Sequence, residues 1–222
     1  MLAAVILAAG ESSRMGTPKA LLPFPTAEKE TADFAEVSNS HGVAKTFLGH
    51  LLEVSKHPQI GVRRVVVGGH AEAIRAAFPQ LGAELVLNQN WQRGQLSSLK
   101  AAIYSLSGAK VSGATVFLVD HPLVTRRLVD TLIRKFQESG APVVVPTCGE
   151  RRGHPVIFSA AVFPELLGAP EDIGARAVVR AHAGEVTHVE TDEEGILLNL
   201  NTPESLETAR AIVRARPQDF LT

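Results

Sequence analysis

The chain has little of what several common protein classes require. Its 222 residues include one cysteine, Cys148, so neither an intramolecular disulfide nor a Cys-x-x-Cys site can form. That fits a reducing cytoplasm, the expected location. No apolar run approaches the roughly 18–20 residues of a membrane span, and no membrane association is expected. The apolar opening, residues 1–9, lacks the basic flank of a secretion signal and runs straight into Gly10 and Glu11. It reads as a buried first strand. An excess of one charge is missing too: 22 Lys and Arg against 23 Asp and Glu leave a formal charge of −1. A nucleic-acid partner that neutralises phosphates would call for a basic excess, so none is expected. A local basic pocket for a small phosphorylated ligand stays open. The 8 histidines show no metal-type spacing, which argues against zinc. Two familiar phosphate loops, Gly-x4-Gly-Lys-Ser/Thr and Gly-x-Gly-x-x-Gly, are absent.

What is present is a globular balance, 45% hydrophobic and 20% charged, in a length that suits one domain over residues 1–222. Short β-branched runs at 4–7, 64–67, 84–87, 115–119 and 142–145 alternate with stretches of helical period. Leu96, Leu99, Ile103 and Leu106 mark one helix. Leu128, Leu132, Ile133 and Phe136 mark another, with Thr125 as its N-cap. This pattern predicts an α/β, Rossmann-like fold with a mostly parallel sheet flanked by helices. After about residue 147 the rhythm changes. Short strands at 156–158, 185–189 and 196–198, with little helix between them, predict a late antiparallel portion. Thr202-Pro203-Glu204 opens a closing helix whose apolar stripe is Leu206, Ala209, Ile212 and Val213. Residues 26–43 are polar and aperiodic, and read as a mobile loop or an insertion.

The first strand empties into a loop where Gly10 and Gly16 bracket Arg14, with Lys19 three positions further on. Glycines allow close backbone approach and the two cations suit a polyphosphate, although an ordinary Gly-rich turn has the same composition. Asp120 ends the 115–119 strand, where a carboxylate can hold Mg2+ or simply form a turn before His121-Pro122. Gly94, Ser97 and Ser98 either offer donors at a helix start or cap it. Trp91 reads as packing, His154 as a packed or surface histidine, and Cys148 carries no assigned chemistry.

At the loop Leu7-Ala8-Ala9-Gly10 … Arg14-Met15-Gly16 … Pro18-Lys19 … Leu21-Leu22-Pro23 the chain resembles the MobA-like nucleotidyltransferases of the glycosyltransferase-A-type superfamily. Five further segments recur in order. They run from Asn90 to Leu99, Leu118 to Leu123, Arg152 to Val156, Gly174 to Arg176 and Asn199 to Glu204. The branch it most resembles is the molybdenum cofactor cytidylyltransferases. This resemblance implies transfer of a nucleoside monophosphate from an NTP, CTP on this reading, to a phosphorylated acceptor such as molybdopterin, with pyrophosphate released. It implies Arg14, Lys19 and Asp120 as catalytic residues. Leu7, Ala8, Ala9, Gly10, Arg14, Lys19, Gly94, Ser97, Ser98, Leu99 and Asp120 would form the nucleotide site. Asp120 and Asn201 would hold Mg2+, with Asn201 standing where many relatives carry Asp. The acceptor side would comprise His121, Arg152, Gly153, His154, Asp172 and Arg176. Molybdoenzyme maturation factors would be the protein partners.

The CTP reading rests on Ala9, where GTP-using relatives have Gly. His121 departs from the usual Gln, and residues 26–43 lengthen the segment near the loop. Both departures keep open a sugar phosphate or other phosphorylated acceptor. A non-catalytic nucleotide-binding accessory protein is the reading from a different class.

Overall fold

A computed structural model describes residues 1–11, 17–25 and 46–220. Arg14, Gly16 and the 26–43 segment lie outside the described residues.

The first strand, β1 (Leu2–Ala8), is buried along its whole length, because both of its faces are covered. Leu2, Ala4, Ile6 and Ala8 point into one apolar core, and Ala3, Val5 and Leu7 into the other. This alternation is the period of two that a strand imposes, and it explains why the segment reads as an unbroken apolar run. On its two sides β1 pairs in parallel with β2 (Ile60–Val67) and β4 (Gly113–Leu118), and β3 (Leu85–Leu87) adds in parallel beyond β2.

The second half of the sheet is mixed. β5 (Val143–Cys148), β6 (Arg151–Arg152), β7 (Val156–Ser159) and β8 (Val186–Glu190) give, among the described residues, eight strands in the order β3-β2-β1-β4-β7-β5-β6, with β8 on β5. β7 runs antiparallel to both β4 and β5. The expected antiparallel portion is therefore real, with two corrections. β8 pairs with β5 in parallel, because two short helices, Phe163–Gly168 and Arg176–Ala181, carry the chain back across the sheet. The 196–198 strand does not form either. Residues Glu194–Leu197 make a 3-10 turn whose buried Ile196 packs against the core.

Four longer helices complete the layers: α1 (Phe47–Val54), α3 (Gln95–Ser105), α4 (Arg126–Ser139) and α7 (Pro203–Ala215), with the two short ones numbered α5 and α6, and α2 being Ala71–Ala77. Thr125 caps α4 by accepting from the Leu128 N–H at 3.1 Å. Thr202 and Ser205 form a reciprocal capping box at α7. α1, α4 and α7 cover one face of the sheet and α3 the other. No helix among the described residues is long and apolar enough to cross a membrane.

Candidate active site

The carboxyl ends of parallel strands are where an α/β sheet offers free backbone groups to a ligand. Here the ends of β1 and β4 open onto a cleft of about 400 Å³. Asp120 stands just beyond β4, half-buried on the cleft wall. Its segment is held by Val119 N–H donating to Leu7 O at 3.1 Å and His121 N–H donating to Leu118 O at 3.0 Å. Its own carbonyl accepts from Leu200 N–H at 2.7 Å, which ties this strand tip to the Asn199–Leu200–Asn201 segment.

Lys19 reaches the same point from a third direction. It begins the turn Lys19–Leu21, anchored by buried Ala20 and Leu22 and by the Phe47 N–H donating to Leu22 O at 2.9 Å. Its ammonium donates to Asn201 Oδ1 and lies 3.8 Å from Asp120 Oδ2. One cation thus spans the two oxygens expected to hold metal, so both can face a single ion. An anionic and a neutral oxygen form a hard donor set that suits Mg2+, which takes its other ligands from water and phosphate. No cluster of three or more His, Cys, Asp or Glu suited to metal occurs among the described residues.

The nucleotide-side residues assemble only in part. Leu7, Ala8, Ala9, Gly10, Lys19, Gly94, Ser98 and Asp120 all line the cleft. Gly94, at φ 96°, precedes α3 without a side-chain cap, and the start of that helix lines the cleft through Gly94, Gln95 and Ser98. Ser97 turns its hydroxyl inward instead, donating to Gly94 O at 2.8 Å or Asn90 O at 3.0 Å. Leu99 is packed in the core and faces the neighbouring hollow.

That hollow, about 610 Å³, is bounded by Arg152, Gly153, His154, Asp172 and Arg176 above an apolar floor of Val116, Val145, Val156 and Phe158. Five of the six expected acceptor residues therefore gather on it. The sixth, His121, sits beside Asp120 on the first cleft. His154 and Arg176 border both spaces. The His121 and His154 rings lie 5.2 Å apart, and each leaves a buried Nδ1 without a partner among the described residues. Burial pushes both below the usual histidine range. His154 is lowered to about 4, with neighbouring His121 adding to the effect. Both are neutral at pH 7 and can hydrogen-bond without adding charge.

Several cleft residues escaped the sequence reading. Trp91 lies against the backbone of Gly68 and Gly69 and forms part of the wall. His70, Gln95 and Asn199 also line the cleft, and His70 Nε2 is 2.5 Å from Glu11 O. Gly68-Gly69-His70 follows β2 as Gly10 follows β1, so the strand-end rule, applied to every parallel strand, finds it. Buried Asn88 was missed as well, although it hydrogen-bonds both Ser97 and Ser98.

Comparison with known proteins points to one family. The MobA-like NTP transferase domain matches residues 4–186. A probable molybdenum cofactor guanylyltransferase of Mycobacterium avium is 27% identical over 220 residues, 97% of this chain and 96% of that protein. Purine catabolism protein PucB of Bacillus subtilis is 25% identical over 207 residues, 93% of this chain and 94% of its own length. The crystal structure of Rv0371c from Mycobacterium tuberculosis superposes with a TM-score of 0.71 at 27% identity, covering 95% of this chain and 97% of that one. Rv0371c has also been solved in complex with manganese, matching at a TM-score of 0.67 and 24% identity over 95% of this chain and 98% of that one. With that match spanning most of its length, the chain belongs to the MobA-like NTP transferase domain family, a family of nucleotidyltransferases.

Proposed function

We propose that this protein moves a cytidylyl group from CTP to the terminal phosphate of molybdopterin, releasing pyrophosphate. The observation that carries the reading is the meeting of Lys19, Asp120 and Asn201 at one point on the cleft. In-line attack by one phosphate on another calls for charge neutralisation and alignment more than for a protein nucleophile. Asp120 and Asn201 are the residues that would hold Mg2+. When bound, that ion would screen the phosphate oxygens and favour departure of pyrophosphate.

The remaining steps fall to the chain's own groups. Lys19 exchanges its contacts with Asn201 and Asp120 for the triphosphate, and Arg14 joins it on the family pattern. The α3 amides face the nucleotide across Gly94. Arg152 and Arg176 attract the acceptor's phosphate, while His154, held neutral, orients it without competing for charge. An acceptor phosphate is already anionic at pH 7, so no general base is required. The apolar floor of the second hollow suits a ring system better than a bare sugar phosphate.

CTP is favoured by Ala9, which lines the cleft beside Gly10 at the position where GTP-using relatives have Gly. The guanylyltransferase name of the Mycobacterium avium relative favours GTP, the second reading. Pyrophosphate release measured across the four NTPs with molybdopterin separates them. A clear CTP preference supports the first reading and a GTP preference replaces it. Tight binding without turnover on any acceptor would instead favour an accessory binding protein. On this proposal the chain works in the cytoplasm as one domain and hands its product to molybdoenzyme maturation factors.

A further inference from the structure

We propose that Asn88 is a positioning residue for base selection: it fixes the hydroxyl of Ser98 as a hydrogen-bond donor facing the cleft. The inference rests on the reading of this cleft as a nucleotide site. The backbone dictates how the Asn88 amide is oriented. The Asn90 backbone N–H, which can only donate, lies 2.9 Å from Asn88 Oδ1. The carbonyl end of the Asn88 amide is therefore committed to the loop. Its NH2 end must face α3, where it lies 2.9 Å from Ser97 Oγ and 3.0 Å from Ser98 Oγ. Asn88 is 5% exposed, so water does not compete for these bonds.

Each serine oxygen thus accepts from Asn88, and each must place its own proton elsewhere. Ser97 gives its proton to the Gly94 or Asn90 carbonyl. Ser98 has no such outlet: no hydrogen bond among the described residues takes its proton, and its side chain lines the cleft with Gly94 and Gln95. A buried donor without an internal acceptor favours a ligand that supplies one. Cytosine presents two adjoining acceptors, ring N3 and carbonyl O2. At the matching positions guanine carries N1–H and an amino group, both donors, and its one acceptor on that edge, O6, lies where cytosine has its amino group. With the N3/O2 side of the base held against it, a Ser98 that can only donate therefore favours the pyrimidine.

Asn88→Asp tests this with almost no change of shape. The carboxylate still accepts from Asn90, but it now takes protons from the serines and turns Ser98 into an acceptor toward the cleft. Binding of Mg·CTP, Mg·GTP and Mg·pyrophosphate is measured by calorimetry on wild type, Asn88→Asp, Ser98→Ala and the double variant. CTP affinity should fall about 10-fold in Asn88→Asp, the effect of one lost hydrogen bond. GTP affinity should hold or rise, and pyrophosphate affinity should stay unchanged. The double variant should be no worse for CTP than Ser98→Ala alone. Equal losses for CTP and GTP, additive losses in the double variant, or unaltered CTP binding in Ser98→Ala would overturn the proposal. Wild type that binds pyrophosphate but no NTP would overturn the nucleotide reading itself.

Discussion

The two sides of the cleft are built by different means. On the proposed nucleotide side, the tips of β1 and β4 and the start of α3 present mainly backbone and small residues, with Lys19 and Asp120 as charged groups and Arg176 at the border with the second hollow. On the proposed acceptor side, charged chains (Arg152, Asp172, Arg176 and Arg180) rim an apolar floor set on the mixed half of the sheet. Backbone cannot be changed without changing the fold, whereas exposed side chains can. On the proposed reading the first side holds the triphosphate mainly through these fixed groups, with Ala9 and Ser98 left to choose the base, and the second side is suited to whatever distinguishes one acceptor from another.

This contrast breaks most visibly at Asp120. Asp120→Ala should lower metal-dependent pyrophosphate release on the order of 10³-fold, at least as much as loss of a single transition-state donor. Its melting temperature should stay near wild type, since the half-buried carboxylate holds no core together. Turnover within a few-fold of wild type would remove Asp120 from the chemistry. Lys19→Ala should cost roughly 10²-fold in kcat/KM for the triphosphate, with acceptor affinity unchanged. Equal loss for both substrates would dissolve the division between the two sides. Arg176→Ala should act in the opposite sense, raising the acceptor KM about 10-fold while the NTP KM holds, as expected for one charge-assisted hydrogen bond.

A core residue away from both sides provides the control. His50 is 3% exposed, stacks on Phe24 at 4.0 Å, and its Nε2 lies 2.8 Å from Val124 O. Burial lowers its pKa to about 4, so the folded protein keeps it neutral where the unfolded chain, near 6.5, takes up a proton. Its stabilising share is complete above pH 6.5 and is lost as pH falls toward 4, by up to about 3 kcal/mol. His50→Gln should flatten the melting temperature over that window and leave turnover at pH 7 almost unchanged. A melting curve with the wild-type pH dependence would contradict the assignment.

The same contrast governs what the sequence made legible. The parallel half could be read because strands covered on both faces are long apolar runs, and α4 and α7 carry their caps in the sequence. Lys19, Asp120 and Asn201, which the structure brings together, stood out in the sequence because each sits at an element boundary within a motif of the family it resembles. The late half was harder. A parallel partner for β5 depends on two helices too short to show a period, and Ile196 is apolar because it fills the core beneath Gly153, where a Cβ would come 2.5 Å from its side chain. An apolar triplet at 196–198 reads as a strand whichever backbone buries it. Asn88 escaped because a hydrogen-bond relay leaves no spacing. Ser97 and Ser98 look alike in sequence, and only the structure separates the hydroxyl turned inward from the one on the cleft wall.

The central claim is that Lys19, Asp120 and Asn201 serve one metal–polyphosphate. Anomalous scattering from crystals soaked with Mn2+ and CTP tests it most directly. The account predicts one strong peak within coordination distance of the Asp120 carboxylate and Asn201 Oδ1, with the Lys19 ammonium moved from Asn201 onto the triphosphate. A bound nucleotide whose manganese peak lies away from Asp120, with Lys19 still on Asn201, would contradict it.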